Sequence, residues 1–200
     1  MKTVSLILTT YNSAANLTRT LRSIERQDYP QIEVNIKDGG SVDDTLKIIK
    51  KYKSTSHNRV NWISSPDRGI YDAMNQGYQL SGGDIIVFFN DLFLRKDAIS
   101  RMMKLIESVP ECVGAHADLI YADDEKVVRY WKMGPQKSIR LGWLPGHPTL
   151  FLKREIYEKY GLYNTKYKIA ADYEFMIRFL KDRENQLVYL PEIIISMYYG

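Results

Sequence analysis

Polar residues follow four short apolar segments in the first half of the chain. They occupy residues 9–12, 38–41, 66–68 and 90–91. Among them, Tyr11 offers an aromatic face, Asp38 and Asp91 offer carboxylates, and Arg68 offers a guanidinium. Aromatic rings stack on flat ligands, carboxylates accept hydrogen bonds or bind hard cations, and guanidinium groups pair with phosphate. These side chains predict a site for a polar ligand.

The apolar segments before these residues have the pattern of strands, and helical periodicity fills the gaps between them. The predicted strands are residues 4–9, 32–36, 60–63 and 85–89, and one predicted helix spans residues 70–80. Strands that alternate with helices form a parallel sheet with right-handed crossovers. Ligands bind beyond the carboxyl ends of such strands. The prediction is an α/β fold, with a mostly parallel central sheet flanked by helices and the four polar segments at one crevice.

The second half of the chain has a less regular pattern. A predicted helix over residues 97–108 precedes a predicted hairpin over 117–132, which turns at 123–125. Glycine, proline and histidine interrupt residues 133–148, as is typical of a functional loop. The other predicted elements are a strand at 149–152, helices from Arg154 and around 172–180, and a strand at 187–189.

Composition and charge narrow the class of protein. The 200 residues are 44% hydrophobic and 26% charged, which is typical of one globular domain. A net charge of +4 lacks the concentrated basic stripe of a nucleic-acid-binding protein. The single cysteine, Cys112, excludes an internal disulfide and a multi-cysteine zinc site. Without a secretory signal pattern or an apolar run of about 20 residues, we expect a cytoplasmic protein, or one peripheral on the inner face of the membrane.

Six short motifs are distributed along the chain. They are the apolar-to-polar segment at 4–12, DGGSVD at 38–43, DRGIYDAMN at 67–75, GDII at 83–86, GHP at 146–148 and ADYE at 171–174. Together they resemble the family 2 inverting glycosyltransferases, which have the A-type (nucleotide-diphospho-sugar transferase) fold. The resemblance implies a single glycosyltransferase domain over 1–200, with a nucleotide-binding half at 1–95 and an acceptor-side half at 96–200. Relatives continue past the segment that ends at Gly200, so we expect a truncated sequence.

The resemblance also implies an activity. Such enzymes move a sugar from a nucleotide-diphosphate donor, here a UDP-sugar, to an acceptor with inversion at the anomeric carbon. The implied acceptor is a saccharide or lipid-linked saccharide of bacterial exopolysaccharide, capsule or lipopolysaccharide, so peripheral membrane contact and no nucleic-acid partner are expected. Two alternatives stay open, a non-catalytic nucleotide-sugar binding module and a nucleotidyltransferase. A dinucleotide-dependent oxidoreductase fits poorly, because no Gly-x-Gly-x-x-Gly follows the first strand.

The residues that match the family's motifs acquire roles in donor binding. Tyr11 is expected to stack on a pyrimidine ring, with Thr9 and Thr10 beside it. Asp38 is expected to accept the imide hydrogen of uracil. Arg68 contacts the base or the phosphates, or else pairs on the surface with a neighbouring aspartate.

The remaining matches concern the metal and the reaction. The family usually presents a pair of acidic residues that hold a divalent cation on the donor diphosphate. Here Asn90 is expected to contact the nucleotide-sugar donor, and Asp91 is the single candidate ligand for Mn²⁺ or Mg²⁺. Asp172 matches the general base that activates the acceptor hydroxyl, with Glu174 as a weaker alternative. His147 contacts the donor phosphate or the acceptor, or else has a structural role.

Overall fold

The computed structural model describes residues 1–123, 125–182 and 184–199. Asp124, in the predicted hairpin turn, and Gly200, at the predicted truncation, lie outside the described residues. None of the described helices has both the length and the apolar character that a bilayer span requires.

The first four strands form the parallel half of a mixed sheet. They are β1 (Val4–Thr10), β2 (Ile32–Asp38), β3 (Arg59–Ser64) and β4 (Ile85–Phe88), adjacent in the order β3-β2-β1-β4. All three neighbouring pairs are parallel. The helices between them are α1 (Ala14–Glu25), α2 (Thr45–Thr55) and α3 (Ile70–Leu80). The alternation of strands and helices is confirmed, and α3 has the predicted bounds.

Within the described part of the chain, the second half adds five strands and three α-helices. The strands are β5 (Leu92–Phe93), β6 (Gly114–Ala122), β7 (Val127–Trp131), β8 (Phe151–Lys153) and β9 (Leu187–Tyr198). The helices are α4 (Ala98–Ser108), α5 (Arg154–Tyr160) and α6 (Ala171–Leu180). The sheet continues as β4-β8-β6-β9-β5, and β7 pairs with β6. Because β8 is antiparallel to both β4 and β6, the predicted parallel arrangement describes the first half, and the second half is mixed.

The last strand is longer than the three residues predicted for it. β9 continues past Pro191 and Glu192, two residues that oppose strand formation in a sequence pattern. The structure accommodates them in a bulge, because Leu190 pairs with Ala117 and Ile193 pairs with the next residue, Asp118. A bulge leaves such residues outside the ladder, so pairing resumes beyond them.

Helices cover both faces of the sheet. Alternate residues of β1 point into two separate apolar clusters, with Leu6 and Leu8 in one and Ile7 in the other. The first cluster includes buried residues of α1, α2 and α4, and the second includes buried residues of α3, α5 and α6. This packing buries β1 on both faces, and the polar loops lie at the strand ends.

Gly114 lies where the two halves of the sheet meet, and substituting it tests how closely the strands pack there. A Cβ atom on Gly114 would lie 2.2 Å from the main-chain oxygen of Phe151, on the adjacent strand β8. We expect Gly114→Ala to lower the free energy of unfolding by about 1–3 kcal/mol, measured by urea denaturation, because the backbones must separate. Gly82→Ala is the control, since its Cβ atom would meet nothing closer than 3.9 Å. Equal stability of the two variants would contradict this close packing.

Candidate active site

The turn after β1 presents Tyr11 to solvent. Asn12 has a φ of 47°, a left-handed conformation that asparagine tolerates better than most residues. Its side-chain oxygen accepts a hydrogen bond from the backbone amide of Val42 (3.0 Å), and its backbone amide donates to the Ser41 hydroxyl (2.8 Å). These bonds tie the turn to the loop after β2, while the Tyr11 side chain remains 67% exposed. An exposed ring on a fixed backbone can stack on a flat ligand.

Asp38 ends β2 beneath this turn and is fully buried. Its two carboxylate oxygens accept five hydrogen bonds, from the side chains of Thr10, Ser41 and Ser64 and from the amides of Gly40 and Ser41. Burial alone would raise the pKa of Asp38, but these hydrogen bonds outweigh it and hold the pKa below its ordinary value. A uracil imide can therefore reach Asp38 only if an existing hydrogen bond breaks.

A cavity of about 700 Å³ opens at the carboxyl ends of the parallel strands. It brings together four of the predicted donor residues, Thr9, Thr10, Tyr11 and Asn90. Asn90 follows β4 and closes one wall, because its side chain exchanges hydrogen bonds with the amide and hydroxyl of Thr9 (3.0 and 2.9 Å). The other predicted site residues, Asp38, Arg68, Asp91, His147 and Asp172, are not in the lining of this cavity.

The loop after β3 contributes Asp67 to the cavity, whereas Arg68 points away from it. The Arg68 side chain is 82% exposed and pairs with Asp72 at 3.2 Å. The surface pairing weighed for Arg68 in the sequence is therefore the arrangement that the structure adopts. Asp67 forms an ion pair with Lys37, whose side chain is fully buried.

Asp91 follows Asn90, which lines the cavity, and is itself half-buried in the lining of a separate, smaller pocket. It has no hydrogen bond or ion pair with any other described residue, and burial raises its pKa to about 7. Among residues 1–123, 125–182 and 184–199, no cluster of three or more His, Cys, Asp or Glu side chains could hold a metal by itself. An unpaired carboxylate at this depth is stabilised by a bound cation, and Mg²⁺ commonly uses one or two carboxylates together with substrate phosphates.

Asp172 is in the first turn of α6, on the acceptor side predicted from the sequence. Its Oδ1 accepts a hydrogen bond from the Tyr71 hydroxyl at 2.7 Å, which connects α6 to α3. No described residue donates a hydrogen bond to its Oδ2. Ala170, just before the helix, has a φ of 65°, an unfavourable conformation for alanine that sets the direction in which α6 begins. Glu174 is different, because both its oxygens accept hydrogen bonds from Arg178.

His147 is connected to the same side of the site through Tyr163. Its Nε2 lies 2.6 Å from the Tyr163 hydroxyl, and its ring stacks on Phe88. Burial lowers the pKa of His147, and the nearby charge of Asp172 offsets part of this effect. The backbone of Tyr163 is in turn held by the Asn75 side chain at 2.9 and 3.0 Å. A neutral, hydrogen-bonded imidazole fits the structural alternative for His147.

The family of the chain follows from its sequence as a whole. Residues 5–182 match the model of glycosyl transferase family 2. The chain belongs to this family. Two curated relatives are a "PGL/p-HBAD biosynthesis glycosyltransferase" of Mycobacterium bovis, 30% identical over 96% of this chain and 75% of the relative, and an uncharacterised glycosyltransferase of Mycobacterium tuberculosis, 32% identical over 88% and 68%.

Solved structures share the fold of this glycosyltransferase family member. S. aureus TarS 1-349 in complex with UDP-GlcNAc matches 99% of this chain with a TM-score of 0.81 and 20% identity. Mannosyltransferase PcManGT from Pyrobaculum calidifontis, in complex with GDP-Man and Mn²⁺, matches 98% with a TM-score of 0.74 and 19% identity. The chain spans 59% and 56% of these two proteins, and 37% of a longer TarS structure. The A-type glycosyltransferase fold is confirmed.

Four residues of the site were not predicted from the sequence. Lys37 lies between the predicted strand 32–36 and the polar segment 38–41, and Tyr163 lies in a segment without a motif. Tyr71 and Asp67 both occur inside the DRGIYDAMN segment, so their positions were noticed but their partners were not. The partners are far away in the sequence, since Tyr71 contacts Asp172 across 101 positions and Asp67 contacts Lys37 across 30. Lys37 is the penultimate residue of β2, where polar residues alternate with apolar ones, so the sequence pattern does not distinguish it.

Proposed function

We propose that this chain transfers a sugar from a UDP-sugar to a saccharide or lipid-linked saccharide, with inversion at the anomeric carbon. The observation that carries the proposal is the donor-sized cavity beside the exposed face of Tyr11, with Asp172 held at the other side of α3 by Tyr71. Residues 1–95 supply the donor side and residues 96–200 the acceptor side. The complex of TarS with UDP-GlcNAc, on the same fold, supports a uridine donor.

In this mechanism Asp172 is the general base. Tyr71 donates to Oδ1 and orients the carboxylate, which leaves Oδ2 to accept the proton of the acceptor hydroxyl. The deprotonating oxygen attacks the anomeric carbon opposite the diphosphate, and UDP leaves with the electron pair of the broken bond. One displacement from the opposite face inverts the anomeric configuration. Glu174 is unsuited to the role because Arg178 occupies both of its oxygens.

A divalent cation fits beside this cavity. Asp91 would hold it, and the donor phosphates would complete its oxygen ligands. When bound, Mn²⁺ or Mg²⁺ supplies charge neutralisation for the departing diphosphate. The complex of PcManGT with GDP-Man and Mn²⁺ supports this assignment.

The pathway that we propose is assembly of a bacterial surface polysaccharide, such as an exopolysaccharide, capsule or lipopolysaccharide, at the cytoplasmic face of the membrane. The names of the mycobacterial relatives, which refer to PGL/p-HBAD biosynthesis, support a biosynthetic glycosyl transfer. Peripheral contact with the membrane would give the chain access to a lipid-linked acceptor.

A thermal-shift screen of nucleotide sugars, with and without Mn²⁺, tests the proposed donor. We expect UDP-sugars to raise the Tm, because a ligand at about 100 times its Kd adds roughly 2.7 kcal/mol to the unfolding free energy. Tyr11→Ala should weaken binding by about 1–3 kcal/mol through loss of stacking. Tyr130→Ala is the control, since Tyr130 is a 62% exposed tyrosine on β7. If no nucleotide sugar shifts the Tm, or if the two variants bind alike, the proposed site is refuted.

A further inference from the structure

The donor cavity has one carboxylate in its wall, and it is not that of Asp38. Among the described residues that line the cavity, Asp67 is the one with a carboxylate side chain. Asp38 lies below the wall, where five hydrogen bonds occupy its oxygens. Asp38, which the sequence predicted to bind the base, therefore stabilises the loop. The carboxylate that lines the cavity belongs to Asp67.

Gly39 lies beside both this carboxylate and the ring of Tyr11. A Cβ atom on Gly39 would lie 2.8 Å from Asp67 Oδ2 and 3.2 Å from Tyr11 Cδ2. Both groups therefore border the same small volume, which only glycine leaves open at this position. A ring stacked on Tyr11 would therefore lie close to the Asp67 carboxylate.

Buried Lys37 holds Asp67 in place. The Lys37 ammonium donates to Asp67 Oδ2 (3.0 Å) and to the main-chain oxygens of Asp38 and Ser65 (both 2.7 Å). The Gly69 amide donates to Asp67 Oδ1 at 3.0 Å. A carboxylate has about four acceptor positions, so these two bonds leave acceptor capacity toward the cavity. Its orientation is set before any ligand binds.

We infer that Asp67 selects the base of the donor by accepting the imide N3–H of uracil while the ring stacks on Tyr11. The inference rests on the proposed function, since it assumes that the cavity binds a nucleoside diphosphate sugar. Uracil presents a donor at N3, whereas cytosine presents an acceptor there, and two acceptors facing each other repel. The Lys37–Asp67 pair thus makes Asp67 a specificity-determining residue for uridine over cytidine donors.

The test compares the Kd of UDP with that of CDP by calorimetry, in the same buffer and at one fixed Mn²⁺ concentration. The two nucleotides share ribose and diphosphate, so the ratio of their Kd values isolates the edge of the base. We expect the unmodified chain to prefer UDP by about 10- to 100-fold, because a charged acceptor discriminates strongly between a facing donor and a facing acceptor. Asp67→Asn should reduce the ratio to about threefold or less, because an amide can offer either a donor or an acceptor.

The matched control is Asp182→Asn, a carboxylate that pairs with Lys159 and Tyr160 outside the cavity and should leave the ratio unchanged. If Asp67→Asn fails to fold, Gly39→Ala takes its place. Its Cβ atom would lie 2.8 Å from Asp67 Oδ2, so the carboxylate must shift from its place at the cavity, and UDP should be weakened more than CDP.

The outcomes separate the inference from the proposed function. Binding of UDP and CDP with equal affinity would overturn the role of Asp67 and leave a nucleotide-binding site in place. An unchanged ratio in folded Asp67→Asn would also overturn it. Failure of the unmodified chain to bind any nucleoside diphosphate or nucleotide sugar would refute the proposed function itself, and this inference with it.

Discussion

Replacing Asp172 with asparagine should reduce kcat by about 10²- to 10⁴-fold, the usual contribution of a general base. Asparagine has the same shape and can still accept the Tyr71 hydrogen bond, but it cannot take a proton from the acceptor hydroxyl. The Kd of the UDP-sugar should therefore change little. Steady-state turnover at saturating donor and acceptor, together with calorimetry of donor binding, measures the two effects separately.

Glu174→Gln is the matched control for this experiment. It removes a carboxylate from the same turn of α6, but one whose oxygens are occupied by Arg178. Its kcat should stay within a few-fold of the unmodified enzyme. Tyr71→Phe should lower kcat by about tenfold, because it removes the hydrogen bond that orients Asp172. Loss of turnover in Glu174→Gln with normal turnover in Asp172→Asn would assign the base to Glu174 instead.

The affinity for Mn²⁺ should increase with pH and level off above about pH 7. Burial raises the pKa of Asp91 to about 7, so a proton occupies the carboxylate below that pH and competes with the cation. Each pH unit below 7 should weaken Mn²⁺ binding by about tenfold, down to the point where other ligands dominate. The titration is done in the presence of a UDP-sugar, because its diphosphate does not titrate in this range.

Asp91→Asn should abolish both this pH dependence and the stimulation of turnover by Mn²⁺, with a loss of about 10²-fold or more in kcat/KM. Asp97→Asn serves as the control, because Asp97 is paired with Arg95 and Arg101 away from the cavity. Turnover that is independent of Mn²⁺ in the unmodified chain would show that the reaction proceeds without the cation. The pH dependence of the affinity for Mn²⁺ could then not be attributed to Asp91.

The sequence carried enough information to predict the parallel half of the fold. Strands buried on both faces give continuous apolar runs, and the run before Asn90 is an example. β9 could not be predicted in full. Pro191 and Glu192, which lie in a bulge, interrupt its strand pattern, and its partner β6 lies far back in the chain. β5, with two residues, is too short to have a pattern.

The candidate site was predictable in its residue types but not in its contacts. Tyr11, Thr9 and Asn90 meet in one cavity because parallel strands end at one edge, which a sequence pattern can establish. Asp38 shows the limit of this reasoning, since its five hydrogen bonds come from side chains and amides whose geometry depends on the folded loops. The exposed pairing of Arg68 with Asp72 depends on side-chain direction in the same way.

Because glycine has no side chain, Gly39 restricts which substitutions evolution can accept at positions 39 and 67. A Cβ atom at position 39 would lie 2.8 Å from the carboxylate of Asp67, so side chains at positions 39 and 67 compete for space although the two are 28 positions apart in the chain. A side chain added at position 39 would fit without displacing this carboxylate only together with a smaller residue at position 67. The two positions should therefore covary during divergence.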